Sequence, residues 1–169
     1  MNSGKDRPQE EVALLNPAFA STGLWSAARG YLKTDVPGRP DALPFALAFL
    51  VLPLVLHRLT RESLPTSIRT SVAVWASENP RLRARLSERV HTLVPFTRAA
   101  LLFAGTHGFV SLPAGNIVPN DTWNGKVTKV LKDCTDEVRL CIHRADFVGR
   151  WLATAGDPET ALSLFGVQP

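Results

Sequence analysis

Hydrophobic side chains recur every three or four positions along most of the chain, which is the spacing of the buried face of an α-helix. The first such stretch starts at Asn16-Pro17 and reaches about Leu32. A loop over 34–40 follows, and a nearly uninterrupted apolar stretch then predicts a helix over about 44–60. These patterns predict a mainly α-helical protein, built as a compact multi-helix domain.

Two further helices are predicted in the middle of the chain, and they meet at Asn79-Pro80. Trp75 lies on the apolar side of the first, and Leu86 and Val90 lie on that of the second. Pro95 either kinks the second helix or restarts it, because a proline inside a helix removes a backbone hydrogen bond. Residues 96–104 are again apolar and helical in pattern.

The most regular pattern covers residues 126–154, where apolar positions alternate four and three apart. A single helix of that length would span about 43 Å at 1.5 Å per residue. Such length favours a helix that wraps its own domain, and binding of a partner by one end is the alternative. A short helix capped by Asp157 follows and runs to Phe165. The alternating positions are Val127, Leu131, Cys134, Val138, Cys141, Ala145, Val148 and Leu152.

Strand-like residues occur in one place only. Two short β-prone pieces flank Pro113-Ala114-Gly115, whose residue types favour a turn, and they predict a small β-hairpin near 109–118. The order of two helices followed by a hairpin is similar to that of a winged-helix domain. The helix over 96–104 is an additional element between the two, so the fold is winged-helix-like at best.

The apolar stretch over 42–56 is too short to cross a membrane, because a span needs roughly 20 residues. It also contains Pro53, and we expect a buried core helix. The first residues are polar and no secretory signal follows them. The sequence therefore predicts a cytoplasmic protein with a disordered tail over 1–11 and a single helical domain over 12–169.

Composition supports a folded domain, since 45% of the 169 residues are hydrophobic and a disordered chain would contain far fewer. The net charge is +4, and it is concentrated in residues 58–98, which hold eight arginines and three glutamates. Arg81, Arg85 and Arg89 fall on one helical stripe and Arg83 turns away from it. We predict that these arginines bind nucleic acid or an acidic partner surface; a solvated face is the alternative.

No residue pattern indicates catalysis. The histidines, His57, His91, His107 and His143, stand in no metal-binding motif, and the two cysteines cannot pair within one helix. Gly125-Lys126 lacks the glycine and the hydroxyl residue that a phosphate-binding loop requires. We therefore expect no catalytic residues, no bound metal and no cofactor.

Several segments together carry a family resemblance that covers nearly the whole chain from Asn16 onward. The chain resembles the small middle component of bacterial three-component ABC systems, which are predicted conflict or antiphage modules. The segments are Asn16-Pro17-Ala18-Phe19, Pro44-Phe45 with the apolar helix after it, Thr66-Ser67, Trp75, VPFTRAALLF over 94–103, VGRWLATAG over 148–156 and the terminal GVQP.

The resemblance implies a non-catalytic adaptor that accompanies an SMC- or Rad50-like ATPase and a third, effector-bearing component. No catalytic residue carries over from the family, because its motifs are mostly hydrophobic. Trp151, Phe165 and Val167 are the candidates for the partner interface, since tryptophan is common at binding hot spots; a place in the core is the alternative for Trp151. The other function that stays open is a nucleic-acid-binding module that uses the arginines.

Overall fold

Helix α1 (Pro17–Lys33) lies at the centre of the structure, a computed structural model that describes residues 16–168. Asn16 caps the helix, because its side chain accepts a hydrogen bond from the Ala18 backbone N–H. The helix packs against three later helices and two strands, and it is buried over most of its length. The predicted tail over 1–11 and the next four residues lie outside the described part of the chain.

Two glycines allow α1 to cross helix α7 (Asp136–Leu152) with the two backbones in contact. A Cβ atom at Gly30 would lie 2.1 Å from the carbonyl oxygen of Asp146, and one at Gly149 would lie 1.9 Å from that of Ala27. Real Cβ atoms do not approach other atoms this closely. The crossing therefore requires glycine at both positions.

Helix α2 (Phe45–Leu56) is the predicted apolar core helix, and Pro53 lies within it. The helix predicted over 44–60 is in fact two, because His57 is extended and helix α3 (Arg58–Ser63) begins after it. The imidazole of His57 accepts a hydrogen bond from the Thr60 backbone N–H and so caps α3. Between residues 16 and 168, no helix combines the length and the apolar character needed to cross a membrane.

Helix α4 (Val72–Glu78) is followed directly by helix α5 (Pro80–Thr106). Helix α5 continues through Pro95, so the segment over 96–104 is part of this helix and not a separate one. Its 27 residues extend about 40 Å. The predicted helix that starts at Pro80 and the predicted helix over 96–104 are thus one continuous helix.

The predicted hairpin is confirmed as strands β2 (Val110–Ser111) and β3 (Asn116–Pro119), which pair antiparallel. A 3₁₀ turn joins them, and Ala114 adopts a positive φ of 48° there. The sequence did not predict strand β1 (Leu43–Pro44), which pairs with the other edge of β3 and completes a three-stranded sheet.

The prediction of a single long helix over 126–154 is wrong. The chain forms helix α6 (Asn124–Lys132), breaks, and begins α7 at Asp136. Thr135 causes the break, because its hydroxyl accepts from the Val138 backbone N–H and caps α7. Asp136 and Glu137 then place negative charge at the positive end of that helix. The last helix, α8 (Pro158–Leu164), is capped by Asp157 as the sequence indicated.

Candidate partner-binding surfaces

The predicted interface residues Trp151, Phe165 and Val167 are all buried, with exposed fractions of 0%, 0% and 6%. Trp151 and Phe165 pack with Trp75, and the three ring centroids lie 5.7–5.9 Å apart. The indole N–H of Trp151 donates to the backbone oxygen of Thr70 at 2.7 Å. In this conformation the three residues belong to the core, where a partner cannot reach them.

An apolar groove of about 260 Å³ lies where α1, α6 and α7 meet the end of the hairpin. Its lining is almost wholly apolar and open to solvent on one side. Six residues define what we call the apolar groove: Phe19, Trp123, Val127, Val130, Leu131 and Val138.

The break before Thr135 produces this groove. The second half of the alternating apolar pattern, from Cys141 to Leu152, is buried along α7. The first half extends from α6 across the break to the first turn of α7, and there Leu131, Cys134 and Val138 are only partly covered while Val127 is buried. Val130, one position from the pattern, is 62% exposed. The regular spacing therefore marks residues that line the groove as well as residues of the core.

Trp123 forms a fixed wall of the groove. Its ring stacks on Phe109 with 4.0 Å between centroids, and its N–H donates to the backbone oxygen of Gly108 at 2.9 Å. The ammonium group of Lys126 lies 4.7 Å from the centroid of the same ring, within the range of a cation–π contact. The stacking, the hydrogen bond and the cation–π contact together hold the Trp123 ring in place.

The four predicted arginines of α5 have different surroundings. Arg81 and Arg85 are exposed. Arg83 donates to the backbone oxygens of Leu164 and Ser163 at 2.5 and 3.2 Å, which satisfies the end of α8. Arg89 is half-buried. Arg81 and Arg85 are thus available on the surface. Arg83 instead stabilises the position of α8.

Arg89 belongs to a group that we call the basic cluster: His57, Thr60, Arg61, Arg85 and Arg89. The Thr60 hydroxyl lies 2.8 Å from both Nη1 of Arg89 and Nδ1 of His57. Arg61, only 1% exposed, pairs with Glu137 and donates to the Val55 backbone oxygen at 2.6 Å. The cluster joins α3 to α5 through hydrogen bonds around one hydroxyl.

Two groups of the basic cluster, His57 and Arg89, have lowered pKa values. Burial lowers the pKa of His57, and the charges of Arg89, Arg61 and Arg85 lower it further. Burial also lowers the pKa of Arg89, as does the charge of Arg85. The neutral imidazole that these shifts favour is the form that can accept a hydrogen bond at Nδ1 and cap α3.

In the part of the chain that the structure describes, no three His, Cys, Asp or Glu side chains come together where they could hold a metal ion. Cys141 is buried against α2, and burial raises the pKa of its thiol, which disfavours the reactive thiolate. The groove offers apolar surface and the cluster offers positive charge.

Sequence reasoning found the arginines and missed the other parts of these surfaces. The apolar groove is lined by residues of both α6 and α7, which the break before Asp136 separates into two helices. Thr135 followed by two acids was a signal for that break, since hydroxyl residues cap helices and acids favour the first turn. No sequence signal indicated that His57 and Thr60 meet Arg89.

A family model described as ABC-three component (ABC-3C) system Middle Component 3 matches residues 4–169. No curated protein and no solved structure matches the chain.

Proposed function

Because the chain belongs to the ABC-three component (ABC-3C) system Middle Component 3 family, we propose that it is a non-catalytic subunit linking two other components. In this proposal one component is an SMC- or Rad50-like ATPase and the other bears the effector. The assembly would act in the cytoplasm of a bacterium as a defence system. The family assignment supports a role as one component among several, and the surfaces of the domain support the linking role.

The apolar groove is the observation that carries the proposal. Val130 is 62% exposed and lies beside Trp123, whose ring is already fixed by Phe109. Apolar surface that is both concave and rigid loses little entropy when a partner covers it. Exposed apolar patches rimmed by polar residues commonly mark protein interfaces. We propose that an apolar segment of another component docks in this groove.

A second surface is needed for a subunit that joins two others, and the basic cluster with Arg81 provides one. It is built on α3 and α5, whereas the groove is built mainly on α1, α6 and α7. The two surfaces also differ in chemistry, since one is apolar and the other cationic. A partner suited to one would therefore be poorly suited to the other.

Binding of nucleic acid is the second candidate function. The exposed side chains of Arg81 and Arg85, which form no ion pair within residues 16–168, favour it. Contacts to phosphates would make the affinity for DNA fall steeply as salt concentration rises. Titration of the isolated protein with duplex DNA at several salt concentrations tests this function.

The docking proposal is tested with Val130→Glu in a chain that is co-expressed with the other components of its system. A carboxylate at this position would have to be buried in the groove, so one component should no longer co-purify. Val74→Glu is the matched control, because Val74 is also a partly exposed valine and lies on α4, away from the groove. If both variants retained both components, docking in the groove would be refuted.

A further inference from the structure

Arg89 is a half-buried cation to which residues 16–168 supply no carboxylate. Its Nη1 donates to the Thr60 hydroxyl at 2.8 Å and its Nη2 to the Leu82 backbone oxygen at 3.2 Å. Its Nε is buried and has no acceptor among these residues. A cation that leaves water without an anion beside it is costly, and neutral oxygens offset only part of that cost.

Arg61 shows what Arg89 lacks. Arg61 belongs to α3, the short helix whose Thr60 accepts a hydrogen bond from Arg89, and both arginines leave Nε without an acceptor in the described part of the chain. Arg61, however, pairs with the carboxylate of Glu137. The chain therefore supplies an anion to one arginine of the basic cluster and none to the other.

Arg85 adds a second uncompensated charge. It lies one helical turn before Arg89 on α5, so the two side chains are neighbours on the same face. Arg85 is exposed and makes no ion pair within residues 16–168. Two guanidinium groups that are neighbours on one helix face repel each other, and after burial the charge of Arg85 is the second cause that lowers the pKa of Arg89. An anion between them would remove that repulsion.

We infer that Arg85 and Arg89 form a receptor for a carboxylate side chain, presented by an acidic segment of a protein partner. The inference rests on the proposed function, since the partner would be another component of the system. Guanidinium groups bind carboxylates through paired, charge-assisted hydrogen bonds. Arg85 can contribute such a pair from the surface, and Arg89 can provide positive charge from behind it.

A protein partner fits this site better than the backbone of a nucleic acid. A duplex presents its phosphates in long rows and requires many exposed cations. Here Arg83 is bound to α8 and Arg89 is recessed, so that only Arg81 and Arg85 of the four arginines over 81–89 are exposed and free of such contacts. A single carboxylate can pair with the exposed Arg85 and still be attracted by the charge of Arg89, whereas a phosphate backbone requires several exposed cations.

The test is binding of a fluorescently labelled oligoglutamate peptide to the full chain, measured by anisotropy at low and at physiological salt. Arg85→Gln is the main variant, because Arg85 is exposed and we expect its replacement to leave the fold intact. Arg98→Gln is the matched control, since it removes the same charge from an exposed position on the same helix. Arg89→Gln is measured as well, with circular dichroism to verify folding.

We expect the peptide to bind the natural chain and to lose about tenfold or more in affinity with Arg85→Gln, as removal of a charge-assisted hydrogen bond does. The change in binding free energy caused by Arg98→Gln should be less than half of the change caused by Arg85→Gln. Absence of peptide binding, or equal losses in the two variants, would overturn the inference. Binding of a single-stranded oligonucleotide of equal charge, without binding of the peptide, would overturn it in favour of nucleic acid.

Failure of this inference would be distinct from failure of the proposed function. If the other components still co-purified with Arg85→Gln and the peptide did not bind, the linking role would stand and the carboxylate receptor would not.

Discussion

Replacing Gly30 with alanine should destabilise the protein severely, because it forces two helix backbones apart. The new Cβ would lie 2.1 Å from the carbonyl oxygen of Asp146, and 3.0 Å is the closest approach that real Cβ atoms make. Helices α1 and α7 would have to separate by about 0.9 Å at their crossing. That separation would also stretch the ion pair between Lys33 and Asp146, now 2.6 Å long.

The cost can be approximated from three effects. Overpacking typically costs about 1–3 kcal/mol, and backbone atoms on both sides place this case at the upper end. A gap of nearly 1 Å along the crossing removes a quarter to a half of the dispersion energy there. Alanine recovers about 1 kcal/mol of helix propensity over glycine. We expect a net loss of about 2–4 kcal/mol, which lowers the melting temperature by roughly 4–16 °C.

Gly23→Ala is the control, since it makes the same substitution on the same helix. A Cβ at Gly23 would meet Leu52 at 3.7 Å and Ile142 at 4.0 Å, which are ordinary contacts. This variant should be neutral or more stable by up to about 1 kcal/mol. Urea denaturation of both variants measures the difference. Equal stability of Gly30→Ala and Gly23→Ala would show that the α1–α7 crossing is not as close as described.

Two further predictions concern His57 and Trp151. Folding lowers the pKa of His57, so the folded protein favours the neutral imidazole. The contribution of His57 to the free energy of unfolding is therefore complete above the ordinary pKa of about 6.5. It is lost as the pH falls below that value and through the lowered pKa of the folded protein. His57→Asn keeps a capping side chain that does not titrate. The free energy of unfolding of this variant should vary less between neutral pH and the pKa of folded His57. An unchanged pH profile would contradict the role of His57 in this pH dependence. Trp151→Ala should cost about 3–5 kcal/mol in the isolated protein, as loss of a fully buried tryptophan does. If calorimetry showed no change while the ATPase dissociated, Trp151 would be an interface residue and not a core residue.

Periodicity predicted the elements whose packing it directly reflects. The helical class, the core helix at Phe45–Leu56 and the hairpin all followed from local residue patterns. Periodicity did not predict the helix ends that are set by a capping side chain. Thr135 and His57 each end an apolar run by accepting a backbone hydrogen bond, so two predicted helices became four.

The surfaces were less predictable, because they depend on contacts between residues far apart in the chain. Arg83 and Arg85 are alike in sequence, yet Arg83 is bound to the end of α8 while Arg85 is exposed. Trp151 was a reasonable hot-spot candidate by residue type, and only the packing of Trp75 and Phe165 around it shows that it is buried. Residue type alone does not distinguish an anchor of the core from an anchor of an interface.

Reconstitution of the three components, with each omitted in turn, tests the linking role most directly. Size-exclusion chromatography with light scattering would report which components co-elute and in what ratio. We expect the ATPase and the effector-bearing component to co-elute only when this chain is present, and we expect Val130→Glu to release one of them. Association of those two components without this chain, or a chain that binds neither, would contradict it.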